Sequence, residues 1–158
     1  MSTPKCIICD LDGTLAIFQN RRNAYDCSRC DEIDEVNPAI FHILQLIDGN
    51  NNTIKIFEAG TGENNETKII LMSGREDKFR PQTENWLKRH NIPYHDLFMR
   101  KSGDRRSDSI IKMELYNEHI NGKMQTMFVY DDRLRVIREV WNKLGLFVFI
   151  CNQELKEF

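Results

Sequence analysis

Cys6-Ile7-Ile8-Cys9-Asp10-Leu11-Asp12-Gly13-Thr14 joins an apolar run to two carboxylates, a glycine and a threonine. The apolar run predicts a buried β-strand at about residues 5–9. Residues two apart in extended backbone project to the same side, so Asp10 and Asp12 are expected to face one substrate. Gly13 allows a tight turn close to that ligand, and Thr14 offers a hydroxyl group and a helix N-cap. The two carboxylates suit phosphoryl transfer. A strand that merely ends in an acidic turn would show the same sequence pattern.

Two further apolar runs end in polar groups of complementary chemistry. Residues 69–72 lead into Ser73-Gly74-Arg75, a hydroxyl, a flexible backbone and a guanidinium that suit phosphate oxygens. Residues 127–130 lead into a second acidic pair, Asp131-Asp132. Between these runs, an amphipathic pattern predicts a helix that carries Lys112. Ligands bind at the carboxyl ends of the strands in open parallel sheets, so these groups are expected to meet there.

In this order the residues resemble the four motifs of the haloacid dehalogenase (HAD) superfamily of phosphotransferases. The resemblance narrows to the 3′-phosphatase domain of phage-type polynucleotide kinase/phosphatase and extends over nearly the whole chain. It rests on Asp10 to Thr14, Arg22 with Tyr25-Asp26, Asn37-Pro38, Ser73-Gly74-Arg75-Glu76, Gly103-Asp104 with Arg106, Asp108, Lys112 and Asp131-Asp132-Arg133. The chain departs from the family in a longer segment at 50–67 and in one extra residue between Leu15 and Tyr25.

The resemblance implies an α/β architecture, a Rossmann-like HAD fold with a parallel sheet and helices on both faces. A small flap, from Phe18 to Asp34, is expected over the active site, and 1–158 is expected to form a single domain. Helices are predicted at about 37–47, 80–90, 108–121 and 133–144, and strands at 53–57, 68–72, 126–131 and 146–151. Asn50-Asn51-Asn52 is expected to stop the first helix, and 59–65 reads as a turn-rich loop.

The resemblance also implies roles for individual side chains. Asp10 is the expected nucleophile, and Asp12 the expected general acid and base. The extra residue leaves either Arg21 or Arg22 as the family's substrate-binding arginine, and the spacing back from Tyr25 favours Arg22. Other expected roles are phosphate binding by Ser73, Gly74, Lys112 and Thr14, substrate binding by Arg22 and Arg75, support of the Lys112 ammonium by Asp108, and Mg²⁺ binding by Asp10, the Asp12 carbonyl, Asp131 and Asp132.

The leading functional expectation is a polynucleotide 3′-phosphatase that acts through an aspartyl-phosphate on 3′-phosphate ends of DNA or RNA. A separate kinase or ligase is the expected partner. The alternative is a HAD phosphatase for a small phosphomonoester such as a nucleotide. A phospho-accepting receiver domain fits less well, because it would place its lone acceptor aspartate where Ser73 stands. The choice between DNA and RNA stays open.

The composition of the chain gives its net charge and bears on its cellular compartment. The 158 residues carry a net charge of −2. Residues 75–106 hold nine Lys/Arg against five Asp/Glu, a local excess of four positive charges. This excess is typical of a nucleic-acid-binding surface, but also of an ordinary solvated surface. No apolar stretch approaches about 18 residues and Met1–Lys5 is too short for a signal peptide, so a cytoplasmic protein without a membrane partner is expected.

Five cysteines raise the question of zinc. Cys6 and Cys9 lie three apart in a predicted strand, face opposite sides of the sheet, and cannot hold one ion. Cys27 and Cys30 have the spacing of metal ligands, but the sequence does not indicate the two further ligands that a zinc site needs. Reduced thiols are therefore expected. In the flap, Phe18 and Tyr25 are expected to pack locally rather than to stack on a nucleic-acid base.

Overall fold

Five parallel strands form the central sheet of the computed structural model, which describes residues 3–57 and 66–152. The strands are β1 (Lys5–Cys9), β4 (Thr67–Glu76), β5 (Asp96–Arg100), β6 (Gln125–Asp131) and β7 (Val148–Ile150). Their order across the sheet is β5-β4-β1-β6-β7, so β1 lies in the centre. A separate two-stranded antiparallel sheet pairs β2 (Ala16–Ile17) with β3 (Glu35–Val36).

Helices cover both faces of the central sheet, as predicted. They are α1 (Cys30–Ile33), α2 (Pro38–Phe57), α3 (Arg80–Arg89), α4 (Asp108–His119) and α5 (Leu134–Val136), which continues into a π-helical turn, Ile137–Trp141. Ile7 and Cys9 pack with Leu44 of α2 and Trp86 of α3 in one core. Their neighbours along β1, Cys6 and Ile8, belong to a second core with Tyr116 of α4. Cys6 and Cys9 therefore face opposite sides of the sheet, which confirms that part of the prediction.

The register of the sheet brings the strand ends together. Cys9 of β1 aligns with Leu71 of β4 and Tyr130 of β6. The residues that follow these three positions, among them Asp10, Ser73 and Asp131, therefore reach the same edge of the sheet.

The flap rises from the small antiparallel sheet. Strands β2 and β3 form its stem, and residues 18–34 lie between them. Asn37 fixes the point where the chain leaves the stem. Its Nδ2 donates to the Thr14 carbonyl at 2.9 Å, and its Oδ1 accepts from the Ala39 N–H at 3.1 Å as the N-cap of α2.

Several element boundaries differ from those predicted. Helix α2 continues to Phe57, so the predicted stop at Asn50-Asn51-Asn52 and the strand at 53–57 are wrong. Asn51 is buried and exchanges hydrogen bonds with the backbone of Thr67 at 2.8 and 2.9 Å, a tertiary contact that outweighs its weak helix propensity. Strand β5 was not predicted, because Asp96-Leu97-Phe98-Met99-Arg100 is short and flanked by charge. The predicted loop at 59–65 lies outside the described residues. Within the described ranges, no helix combines the length and apolar character that a membrane span requires.

Candidate active site

Lys112 connects the ends of two strands. Asp10 follows β1 directly, and Lys112 projects from α4 to donate from Nζ to Asp10 Oδ1 at 2.7 Å and to Asp131 Oδ2 at 2.8 Å. All three side chains are buried. Burial opposes the charged ammonium, but attraction to Asp10 and Asp131 outweighs it and raises the pKa of Lys112. The lysine is therefore a fixed positive charge beside the Asp10 carboxylate.

The acidic residues outnumber this one cation. Asp10, Asp131 and Asp132 each place a carboxylate oxygen within 4.8 Å of the others. Burial, partly offset by Lys112, raises the pKa of Asp10 well above its usual range. Burial and the neighbouring Asp131 raise the pKa of Asp132 to about 6. Three buried carboxylates against one lysine leave negative charge uncompensated, and an all-oxygen donor set of this kind fits a hard divalent cation such as Mg²⁺.

Both carboxylate oxygens of Asp131 already accept hydrogen bonds from the protein. Trp141 Nε1 donates to Oδ2 at 2.9 Å, alongside Lys112, and the Arg133 N–H donates to Oδ1 at 3.0 Å. Trp141 ends the π-helical turn, a local expansion that often marks functional sites. No sequence motif indicated this contact. Asp132 Oδ1 accepts from Thr14 Oγ1 at 3.2 Å.

Gly13 and Thr14 bring the first motif against Asp132. Gly13 has a φ of +86°, and a Cβ there would overlap the Asp132 carboxylate, so only glycine fits. Thr14 is fully buried, and its hydroxyl lies 3.3 Å from Asp10 Oδ2 as well as near Asp132. The predicted helix N-cap at Thr14 is wrong, because turns and β2 follow it. Its hydroxyl orders carboxylates in this structure.

Ser73 and Gly74 lie on β4, which extends past them to Glu76. The Ser73 Oγ accepts from the Arg75 N–H at 3.1 Å. Within the described part of the chain its hydroxyl hydrogen has no acceptor, so it can donate to a phosphate oxygen. A Cβ on Gly74 would lie 2.8 Å from Asp108 Oδ1, a distance too short for any other residue.

Asp108 does not contact Lys112, and this corrects the predicted support. Its carboxylate pairs with the guanidinium groups of Arg100 and Arg133. The Lys112 Nζ turns to the opposite side, toward Asp10 and Asp131, which offer two charged acceptors. Asp108 instead lies against Gly74 and ties α4 to β5 through Arg100 and to the segment after β6 through Arg133. Arg100 Nε also donates to the Gly74 carbonyl of β4 at 2.8 Å.

Two arginines hold Asp12. Arg75 donates from Nε to Asp12 Oδ2 at 3.0 Å and from Nη2 to Oδ1 at 2.7 Å, and Arg22 Nη2 donates to Oδ1 at 2.7 Å. These ion pairs outweigh burial and lower the pKa of Asp12. Asp12 is thus a carboxylate in this state, held by the two guanidinium groups. Arg21 is exposed and pairs with Glu35, so the structure brings Arg22 and not Arg21 to the site.

Asp34 is the residue that sequence reasoning missed. It is fully buried, accepts from Arg75 Nη2 at 2.6 Å, and accepts from Arg22 Nε and Nη2 at 2.6 and 2.8 Å. Trp86 Nε1 donates to its backbone carbonyl at 2.9 Å. Asp34 stands at the end of the flap among other acidic residues, and no motif distinguishes it from them.

The flap cysteines and aromatic residues are placed differently from each other. Cys27 and Cys30 are buried, and burial raises the pKa of both thiols. Among the described residues, the one potential metal cluster contains no cysteine. Phe18 packs beneath Arg22, whose guanidinium carbon lies 4.4 Å from the ring centroid. Tyr25 is 84% exposed, so the expected local packing is wrong for this residue.

The parallel sheet, the flap and the Asp–Ser–Lys–Asp arrangement define a phosphohydrolase of the HAD class. Residues 4–154 match the family model described as the phosphatase domain of polynucleotide kinase PNKP. The chain therefore belongs to this family of phosphatase domains.

Similar proteins come from a virus and from solved RNA-repair assemblies. The chain is 32% identical over 144 residues to a putative bifunctional polynucleotide kinase/RNA ligase of Autographa californica nuclear polyhedrosis virus, covering 90% of this chain and 18% of the viral protein. It is 37% identical to a chain of the Pnkp1/Rnl/Hen1 RNA repair complex, with a TM-score of 0.81, covering 95% of this chain and 43% of that one. A second Pnkp1/Rnl/Hen1 structure gives 36% identity and the same TM-score of 0.81. The chain thus spans less than half the length of each of these relatives.

Proposed function

We propose that this protein is a polynucleotide 3′-phosphatase that removes terminal 3′-phosphates during nucleic-acid end repair. The observation that carries the proposal is the clamp of Arg22 and Arg75 on Asp12, two residues after Asp10, whose own carboxylate pairs with Lys112. Two guanidinium groups around the proposed general acid offer more phosphate-binding capacity than one small phosphomonoester needs, and guanidinium groups suit phosphates bidentately. Membership of the polynucleotide kinase phosphatase family supports the same substrate class.

In the first chemical step, a carboxylate oxygen of Asp10 attacks phosphorus and the bond from phosphorus to the sugar O3′ breaks. Asp12, in its protonated form, gives its proton to the departing O3′. Ser73 and Lys112 bind the transferring oxygens, on which negative charge is spread in the transition state. The Lys112 ammonium lies 2.7 Å from Asp10, in position to do so.

The second step regenerates the enzyme. Asp12, now a carboxylate, takes a proton from water as the water oxygen attacks phosphorus. The bond between phosphorus and Asp10 breaks and inorganic phosphate leaves.

Substrate binding must loosen the ion pairs that hold Asp12 as a carboxylate. A phosphate group competes for Arg22 and Arg75, because both guanidinium groups bind it as well as they bind a carboxylate.

We infer that Asp10, Asp132 and the Asp12 backbone carbonyl hold Mg²⁺, with Asp131 acting mainly as a positioning residue. Trp141, Lys112 and the Arg133 N–H already use the Asp131 oxygens, whereas burial, with a smaller contribution from the neighbouring carboxylates, raises the pKa values of Asp10 and Asp132. When bound, the ion supplies positive charge that offsets repulsion between the Asp10 carboxylate and the phosphate.

RNA ends are the substrate class that the relatives favour. The viral relative is described as a polynucleotide kinase/RNA ligase, and the solved relatives belong to an RNA repair complex. We therefore expect this phosphatase to work together with a kinase and a ligase activity, carried by partner proteins or by further domains.

A matched set of substrates tests the proposal. Phosphate release is measured with Mg²⁺ on one oligonucleotide sequence made as 3′-phosphate RNA and as 3′-phosphate DNA, and on nucleoside 3′-monophosphates. The proposal expects kcat/KM for at least one oligonucleotide to exceed that for the mononucleotide by tenfold or more. Equal values for polymer and mononucleotide would instead favour the small-phosphomonoester alternative.

A further inference from the structure

Tyr25 stands out as an unburied aromatic side chain in an otherwise anchored flap. It is 84% exposed, more than Phe147 at 65% or Leu46 at 61%. Phe18, the other aromatic residue of the flap, lies half-buried beneath Arg22, which occupies one face of its ring. Tyr25 therefore presents an aromatic face that makes no ring contact with the described residues of the chain.

The backbone around Tyr25 is held in place on both sides. Its N–H donates to Asn23 Oδ1 at 2.9 Å, and the carbonyls of Asn23 and Ala24 accept from Arg22 Nη1 at 3.2 and 3.4 Å. On the other side, Cys27 is 1% exposed. The Tyr25 ring thus projects from a fixed segment, so little backbone freedom is lost when it meets a ligand.

The same guanidinium joins this segment to the active site. Arg22 Nη1 bonds the carbonyls just before Tyr25, while its Nη2 donates to Asp12 Oδ1 at 2.7 Å. In the proposed reaction Asp12 protonates the sugar O3′, so the nucleoside leaves from the side of Asp12. Arg22 joins the backbone that precedes Tyr25 to Asp12.

We infer that Tyr25 is a specificity-determining residue whose ring stacks on one of the two bases nearest the 3′-phosphate. The inference rests on the proposed function, because only a substrate with a base attached to the departing sugar can use it. Stacking on an aromatic side chain tolerates every base, since every base has a flat face. It would let the enzyme bind ends of any sequence.

The test combines enzyme variants with substrate variants. Wild type, Tyr25→Ala and Tyr25→Phe are compared on a 3′-phosphorylated oligonucleotide, and on versions in which the terminal or the penultimate nucleoside is abasic. Stacking on a base typically changes binding by about tenfold or more. We expect Tyr25→Ala to lower kcat/KM on the complete oligonucleotide by about this factor, mainly through KM, and Tyr25→Phe to retain wild-type values.

The abasic substrates decide whether stacking is the cause. Wild type should lose about tenfold on one of the two, whereas Tyr25→Ala should lose less than twofold on that same substrate. Phe147→Ala is the matched control. Phe147 is 65% exposed, and because it precedes β7 it lies at the amino-terminal ends of the strands, away from the carboxyl ends that carry the site. Equal abasic losses in wild type and Tyr25→Ala would overturn the inference, as would a Tyr25→Ala enzyme within twofold of wild type on the complete oligonucleotide. Failure of the proposed function would differ, since wild type itself would then not prefer the oligonucleotide to a mononucleotide.

Discussion

Asp34 and Arg75 form a completely buried ion pair in which Arg75 Nη2 donates to Asp34 Oδ2 at 2.6 Å. The same nitrogen donates to Asp12 Oδ1 at 2.7 Å, so one arginine connects the flap to the proposed general acid. Asp34 also binds Arg22 through both of its oxygens. The position of the two arginines around Asp12 therefore depends on a carboxylate that touches no substrate in the proposed mechanism.

We predict that Asp34→Asn lowers kcat strongly, by a hundredfold or more, and lowers the free energy of unfolding by about 2–3 kcal/mol. Each buried guanidinium group loses one of its two charged acceptors, Asp34, and keeps Asp12, a loss that is costly in an interior of low dielectric constant. Steady-state kinetics and urea unfolding measure the two effects. Glu35→Gln is the neighbouring control, because Glu35 is exposed and its pair with Arg21 contributes little. An Asp34→Asn enzyme with near wild-type turnover would show that the arginines hold their positions without it.

We predict that Asp10→Asn and Asp12→Asn each abolish turnover, and that Asp10→Asn also abolishes any phosphorylated enzyme trapped by rapid acid quench and detected by mass spectrometry. Without divalent ion, Asp10→Asn should unfold at the same or a higher denaturant concentration. Burial raises the pKa of Asp10, so its charge is unfavourable in the folded state and a neutral amide relieves this. Turnover by Asp10→Asn at near the wild-type rate would exclude covalent catalysis at this residue.

The sequence was most informative where one residue type is required at one place. Asp10, Lys112 and Asp131 could be predicted to meet because each follows or faces the end of an apolar run, and the parallel register brings those ends together. Gly13 was predictable for a similar reason, since its turn leaves no room for a side chain beside Asp132.

The sequence was least informative where a residue acts through tertiary contacts alone. Asp34 reaches Arg75 across 41 positions and Trp141 reaches Asp131 from a π-helical turn, and neither arrangement leaves a local pattern. Asp108 shows the opposite error. Its spacing from Lys112 suggested a helical pair, but Arg100 and Arg133 offer it two guanidinium groups while Lys112 is drawn to the buried carboxylates.

We predict that activity requires Mg²⁺ or a similar hard divalent ion, and that EDTA removes activity without unfolding the protein. Asp132→Asn should raise the Mg²⁺ concentration needed for half-maximal activity at least tenfold. Asp131→Asn should instead lower stability, because it weakens the acceptor of Lys112 and Trp141. Metal titrations and urea unfolding of both variants separate the roles. Full activity in chelator, or rescue by Zn²⁺ alone, would contradict the magnesium assignment.

The basic excess of residues 75–106 is smaller on the surface than the sequence suggested. Most of its cations have acidic partners, namely Arg75, Lys78, Arg80, Arg100 and Arg106. Lys101 and Arg105 are exposed, and within the described part of the chain neither has an ion-pair partner. Their loop follows β5 and is tied to the segment after Ser73-Gly74-Arg75, where Ser102 N–H donates to Asp77 Oδ1 at 2.9 Å and Gly103 N–H to Glu76 Oε2 at 2.8 Å.

We predict that the double variant Lys101→Glu/Arg105→Glu raises KM for a 3′-phosphorylated oligonucleotide at least fivefold, while changing kcat/KM for a small phosphoester less than twofold. Both cations lie at the catalytic edge of the sheet, where a strand leading to the bound end would pass, and phosphate contacts release counterions. The KM of the variant for the oligonucleotide should therefore also depend less on added salt than that of wild type. The control variant Lys88→Glu/Lys143→Glu makes the same change in net charge. These two exposed lysines precede β5 and β7, at the amino-terminal ends of the strands. Equal effects of the two double variants would mean that overall charge, and not a defined strand path, attracts the substrate.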